Sequence, residues 1–283
     1  MSNLKTIVRG AYDIQKLRIQ MGNRIVGNFK NKLGQAPSES EDTLDAEGKQ
    51  ILKDLRLRYK KITDGVKQVR QKDFKGDEVI STYTEFVLLT QYIDLESSEE
   101  SHFKMLKNVL LDYPVYTEFL EKVKGIGPAM AGVIISEIDI TKAKYPSSLW
   151  MYAGLDVAQD GKGRSRKAEH LVDVPYKTKT GEEALKKSIT FNPFLKTKLI
   201  GVLGPSFLRA GENPYSKIYN DYKTRLQSRA DLSTESKGHL HNMAIRYMVK
   251  IFLIDLYNNW RKIEGLPVAP TYQEAKLNHT HAA

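Results

Sequence analysis

The stretch Val123-Lys124-Gly125-Ile126-Gly127-Pro128-Ala129 has residue types and spacing suited to holding a phosphate. Two glycines permit positive φ and leave no side chain to block a close approach. Pro128 suits the first turn of a following helix. The amides of the bend and of that helix N-terminus would then face outward toward an anion, with Lys124, Ile126 and Ala129 completing the contact. A helix-like run over 116–123 and an apolar run over 129–138 flank the bend, so it reads as a helix-hairpin-helix. A tight turn between two packed helices would contain the same residues, and the charge that follows tips the reading toward nucleic acid.

That charge is concentrated. The chain of 283 residues carries a formal charge of +10. Residues 141–209 hold 13 Lys and Arg against 6 Asp and Glu, an excess of seven that begins directly after the bend. Such a balance speaks to partners rather than fold. Within it, Lys162, Arg164, Arg166 and Lys167 are spaced by Gly161 and Gly163, so backbone and cations can both approach a phosphate. The alternative is a solvated loop. Lys196 and Lys198 follow; they point to different sides of a helix, so one of them meets the loop. Arg246 and Lys250 lie one turn apart on the last helix with Asn242, placed either to flank nucleic acid or to pair with an acid such as Asp255.

Catalysis has fewer footholds. A two-metal nuclease needs three or four converging carboxylates; Glu137 with Asp139, and Asp156 with Asp160, are isolated pairs of the kind that cap or solvate. Ser165, between Arg164 and Arg166, is the candidate nucleophile, with the arginines positioned to stabilise a pentavalent phosphate. His239 and His241 stand two apart, on different sides of a helix, so no zinc helix is expected. No metal and no cofactor is expected. The absence of cysteine excludes disulfides, thiolate zinc sites and cysteine nucleophiles. Without a signal-like apolar N-terminus or a membrane-length apolar run, the expectation is a cytoplasmic protein with no membrane partner.

The positioning elements read as mainly α: a helical N-terminal arm or bundle, then a helical domain with the helix-hairpin-helix and a small β-hairpin insertion. Apolar residues from Leu4 to Leu33 recur at helical period, with Gly34 as the stop. Residues 35–47 read as a linker, 48–71 as a helix, and 77–111 as a long helical pattern in which 97–101 is either a break or a polar face. Pro146 and Gly154 bracket a short helix. Residues 171–191 alternate as a hairpin turning at Thr180-Gly181, and helices follow over about 193–209, 214–229 and 237–263. This gives 1–111 as an arm that could form a homodimer, 112–266 as the binding domain, and 267–283 as a loosely ordered tail.

Four pieces in order then resemble a known family: the run over 123–137, Tyr152-Ala-Gly-Leu155, Asn213-Pro-Tyr-Ser-Lys-Ile-Tyr219, and 237–250. The chain resembles the C-terminal transposase domain of the insertion-sequence 110/116/902 family, relatives of Piv-type DNA invertases, over about half its length. The resemblance implies DNA recombination, a serine nucleophile and, in several members, a structured guide RNA. It also implies an N-terminal resolvase-like domain with four acidic residues, which the helical pattern of 1–111 does not match. The family serine sits in a Ser-Gly after Ala-Gly-Leu; here that place is Asp160-Gly161, and Ser165 is the closest substitute. The resulting expectation is a transposase-like protein gripping duplex DNA, with structured RNA as the alternative partner. An active strand-transfer enzyme needing a partner, or a structural RNA-binding protein, remain the other readings.

Overall fold

The computed structural model describes residues 2–36, 43–64, 66 and 69–270. It is mainly α with one small antiparallel β-hairpin, as the periodicities require. The chain divides into two compact units, Thr6–Leu106 and Met1–Lys5 with Lys107–Ala283. Much of the expected linker (37–42) and the tail beyond 270 lie outside the described residues.

The first unit is built from α1 (Ser2–Lys32), α2 (Ala46–Thr63) and α3 (Tyr83–Leu110). Ile25, Val26, Leu52, Leu55, Phe86, Leu89 and Tyr92 form its core. Helix α2 is shorter than its sequence pattern. It ends at Asp64, which adopts the left-handed conformation and returns its amide to the Lys60 carbonyl. Helix α3 begins at Tyr83 rather than near 77 for a local reason. Asp77 Oδ1 accepts from the Val79 and Ile80 amides, holding a turn. Thr82 and Glu85 then cap the helix reciprocally, Glu85 accepting from the Thr82 amide at 3.1 Å and Thr82 from the Glu85 amide at 3.2 Å. Residues 97–101 are a polar face of an unbroken helix.

In the second unit α4 (Pro114–Glu118) is followed by a 3-10 turn, Leu120–Lys122, then α5 (Pro128–Glu137) and α6 (Pro146–Tyr152). The expected continuous helix over 116–123 is therefore in two pieces. The chain leaves helical dihedrals at Phe119 and turns Leu120 into the core, where it is fully buried. Strands β1 (Val172–Lys177) and β2 (Glu183–Ser188) pair with Val174 opposite Lys186. The second strand stops three residues short of expectation, because Asn192 caps the next helix by accepting from the Leu195 amide.

That helix runs through α7 (Pro193–Lys198), a π segment Leu199–Leu203 and α8 (Gly204–Arg209). Pro205 has no amide to give, and a π turn is how a helix absorbs a missing donor without ending. Leu195, Leu199, Leu203 and Phe207 form one stripe, each fully buried. The stripe faces α10 (Lys237–Ile263), whose Ile245 Cγ2 would lie 2.8 Å from a Cβ on Gly204. Helix α9 (Pro214–Gln227) closes the unit, with Tyr215 stacked on Phe207 at 4.5 Å. No helix among the described residues is long and apolar enough to cross a membrane.

Candidate nucleic-acid interface

The bend before α5 is open to solvent. Gly125 takes φ +100°, and a Cβ there would sit 2.9 Å from the Phe207 ring. Ser206 Oγ donates to the Gly125 carbonyl at 2.7 Å, tying the bend to α8. Gly127 differs from expectation: its φ is −99°, which any residue can adopt, and it has open space where a Cβ would go. Its value lies in that space above the N-terminus of α5. The Gly127 and Ala129 amides donate to no group among the described residues. Ile126 is half-buried and gives its amide to the Val123 carbonyl at 3.0 Å. Lys124 is exposed but reaches across to the Glu212 carbonyl at 3.2 Å.

The basic loop is a folded object. Ala158 donates to the Lys162 carbonyl at 2.8 Å and Arg164 to the Asp156 carbonyl at 3.1 Å, while Val157 and Gly163 form an antiparallel bridge. Asp160 Oδ1 accepts from the Lys162 amide at 2.9 Å. A side chain at Gly163 would meet the Arg246 guanidinium at 2.8 Å, so the glycine is what lets Arg246 lie against the loop.

Around this loop four cations from three segments gather about Asp156. Arg164 binds its Oδ2 through Nε at 3.1 Å and Nη2 at 2.7 Å. Arg246 reaches the Asp156 carbonyl at 3.4 Å. Lys196 donates to the Arg164 carbonyl at 2.5 Å and lies over the Phe191 ring. Lys250 sits over the Trp150 ring at 5.2 Å. Burial and the neighbouring Arg246 charge lower the Lys196 pKa to about 8, with Arg166 adding to the repulsion. Burial and Arg246 lower Lys250 in the same way, and burial lowers Arg246. Asp156 cannot balance this group alone. Its Oδ1 is buried without a partner among the described residues.

The other candidates distribute differently. Lys162, Arg166 and Lys167 are exposed at the rim. Lys198 lies over the Phe194 ring, so Lys196 is the member of that pair which meets the loop. Asp255 accepts from Tyr215 at 2.9 Å. Glu137, read as a capping or solvated acid, is instead buried and held by Lys5 at 3.1 Å and Asn192 at 2.6 Å. Asp156 and Asp160 likewise sit at the centre of the loop's bonding.

Ser165 acquires partners that sequence reasoning missed. Its Oγ lies 2.8 Å from His170 Nδ1, and His170 Nε2 lies 3.2 Å from Asp160 Oδ2. His170 is buried. Spacings of five residues, serine to histidine, and ten, aspartate to histidine, resemble no helical or strand period. Only the fold of the loop brings them together. His170, Asp160 and Arg164 line a cleft of ≈ 540 Å³. No family model matches the chain, and no curated protein matches it.

Proposed function

We propose that the chain is a transposase-like nucleic-acid-binding protein that grips the sugar-phosphate backbone. The observation that carries this reading is the gathering of Arg164, Lys196, Arg246 and Lys250 around the single carboxylate of Asp156, with Arg166 exposed on the rim. Packing like charges into a half-buried patch costs free energy unless an anion enters it. Arginines present there suit bidentate phosphate contact. The amides of Gly127 and Ala129, which donate to no group among the described residues, supply a second contact of a different kind. Lys196 and Ser206 stand ten residues along the α7–α8 helix. At about 1.5 Å per residue this is roughly 15 Å, enough to reach phosphates several nucleotides apart.

Contacts of this sort position a duplex and do not read its sequence. The role in DNA transposition or recombination rests on the ordered resemblance in the second unit. The occupant favoured by a backbone-gripping patch is duplex DNA, with structured RNA the competitor.

The test is competition binding of duplex DNA, a structured RNA and a single strand across a salt series. If five cations neutralise five phosphates, log affinity should fall with log salt at a slope of about −4 to −5 for the duplex. Arg246→Gln with Arg166→Gln should reduce that slope by about 2. A salt-independent affinity, or a double variant with the wild-type slope, would refute the proposal; preferential RNA binding would change the partner and keep the site.

A further inference from the structure

We infer that the first unit carries an anion site of its own, in a cleft between α1 and α2, whose ligand bears two or more phosphate groups. The cleft belongs to the other compact unit from the Asp156 patch, and the assignment does not rest on the nucleic-acid reading above.

The cleft has a volume of ≈ 600 Å³, within the range of small-molecule sites. Arg18 of α1 and Lys49, Lys53 and Arg56 of α2 line it. The α2 cations stand at i, i+4 and i+7, so helical period puts them on one side. At about 1.5 Å per residue their row spans roughly 10 Å, room for more than one phosphate. Leu52 and Tyr92, both buried, supply a largely apolar floor.

The cations outnumber the acids that answer them. Glu99 pairs with Arg18, and Glu96 with Arg56. The acids nearest Lys49 and Lys53 along the chain are engaged elsewhere. Asp45 accepts from the Gly48 amide at 2.6 Å, Glu47 holds Lys30 at 2.6 Å, and Asp54 accepts from Gln50 at 3.0 Å. The side chains of Lys49 and Lys53 have no hydrogen-bond or ion-pair partner among the described residues. Like charges one turn apart on a helix repel. Lys49 also stands one turn into α2, toward the end where the helix dipole disfavours a cation. An anion in the cleft relieves both.

A row of solvated lysines would share this pattern but would leave Arg56 unexplained. Its Nη2 is held by Glu96, while its Nε is buried with no partner. A buried donor without an acceptor costs free energy. Turning the guanidinium about its stem toward the cleft would offer Nε and a second N–H together to one phosphate, the paired geometry arginine favours. Arg18 is held by Glu99 and Tyr92, so it adds charge to the cleft rather than a free donor. Direct contact thus falls to Lys49, Lys53 and Arg56.

A free polyphosphate, a nucleotide and a strand end share this chemistry, and the experiment compares them. The full chain is titrated calorimetrically with pyrophosphate, ATP and a short 5′-phosphorylated single strand at constant ionic strength. Lys49→Gln with Lys53→Gln should weaken the tightest of these by about ten-fold or more. Both side chains are exposed and repel each other, so the melting temperature should not fall. The same loss should appear in an Arg166→Gln, Arg246→Gln background, which separates this cleft from the patch in the second unit. In ¹⁵N-arginine NMR the Arg56 Nε–H signal, assigned by its loss in Arg56→Lys, should shift on addition of ligand. Tightest binding of pyrophosphate or ATP identifies a free ligand as the source of the phosphates; tightest binding of the strand identifies nucleic acid. No binding at millimolar ligand, equal affinity in the lysine double variant, or an unmoved Arg56 signal overturns the site. Binding here in a protein whose Asp156 patch binds no duplex keeps this site and sinks the proposed function.

Discussion

Lys196 should make duplex binding depend on pH in a window where ordinary lysines do not titrate. Its ammonium is half-buried against Phe191 and repelled by Arg246 and Arg166, an effect that attraction to Asp156 only partly offsets, so its pKa falls from 10.5 to about 8. A phosphate entering the patch supplies the missing negative charge and raises that value again. If binding restored the full 10.5, proton linkage would cost roughly ten-fold in affinity between about pH 7 and pH 9. Solvent screening of a half-exposed group reduces the expected loss to roughly three- to five-fold. The unliganded protein should change in the opposite sense. Its unfolded chain binds a proton that the folded chain resists, so stability rises as pH climbs from about 8 toward 10.5. Fluorescence anisotropy with a labelled duplex at constant ionic strength measures the first effect, and chemical denaturation the second. Lys196→Met keeps the stem over the ring and removes the charge, leaving only the smaller dependence from Lys250. An affinity flat across this range, or a Lys196→Met variant that retains the wild-type loss, refutes the reasoning.

The two glycines of the bend should separate cleanly. Gly125→Ala meets both φ +100° and Phe207, and should cost about 1–3 kcal/mol in denaturant melts. Gly127→Gln should leave stability within about 0.5 kcal/mol and weaken duplex binding, because it fills exposed space over free amides. Equal affinity in that variant would remove the bend from the interface. Arg261 is buried and donates to the Ile140, Ala143 and Pro267 carbonyls. Arg261→Met should therefore lose at least about 2 kcal/mol of stability, read by thermal or denaturant unfolding; a neutral result would mean that water takes over those acceptors.

Periodicity made the long helices legible. Helix α10 falls on the expected 237–263, and Gly34 ends the helical pattern as α1 requires. Local punctuation was read less well: α3 starts late because Asp77 holds its own turn, and the π segment before Pro205 has no apolar signature distinct from a helix. At the site, the cations were visible as composition, but their convergence was not. Lys196 and Lys198 look alike in sequence, and the phase of one helix against one loop decides between them.

By itself the sequence determined a mainly α chain with an excess of cations directly after a glycine bend, because helical period and charge are properties of neighbours along the chain. Only the tertiary structure decided that Arg164 and Lys196 of that stretch meet Arg246 and Lys250 around Asp156, that Gly163 admits Arg246, and that His170 reaches both Ser165 and Asp160. Such contacts join residues with no common period. They depend on how the loop over 156–170 folds back on itself, and on which side of α7 and α10 packs beneath it.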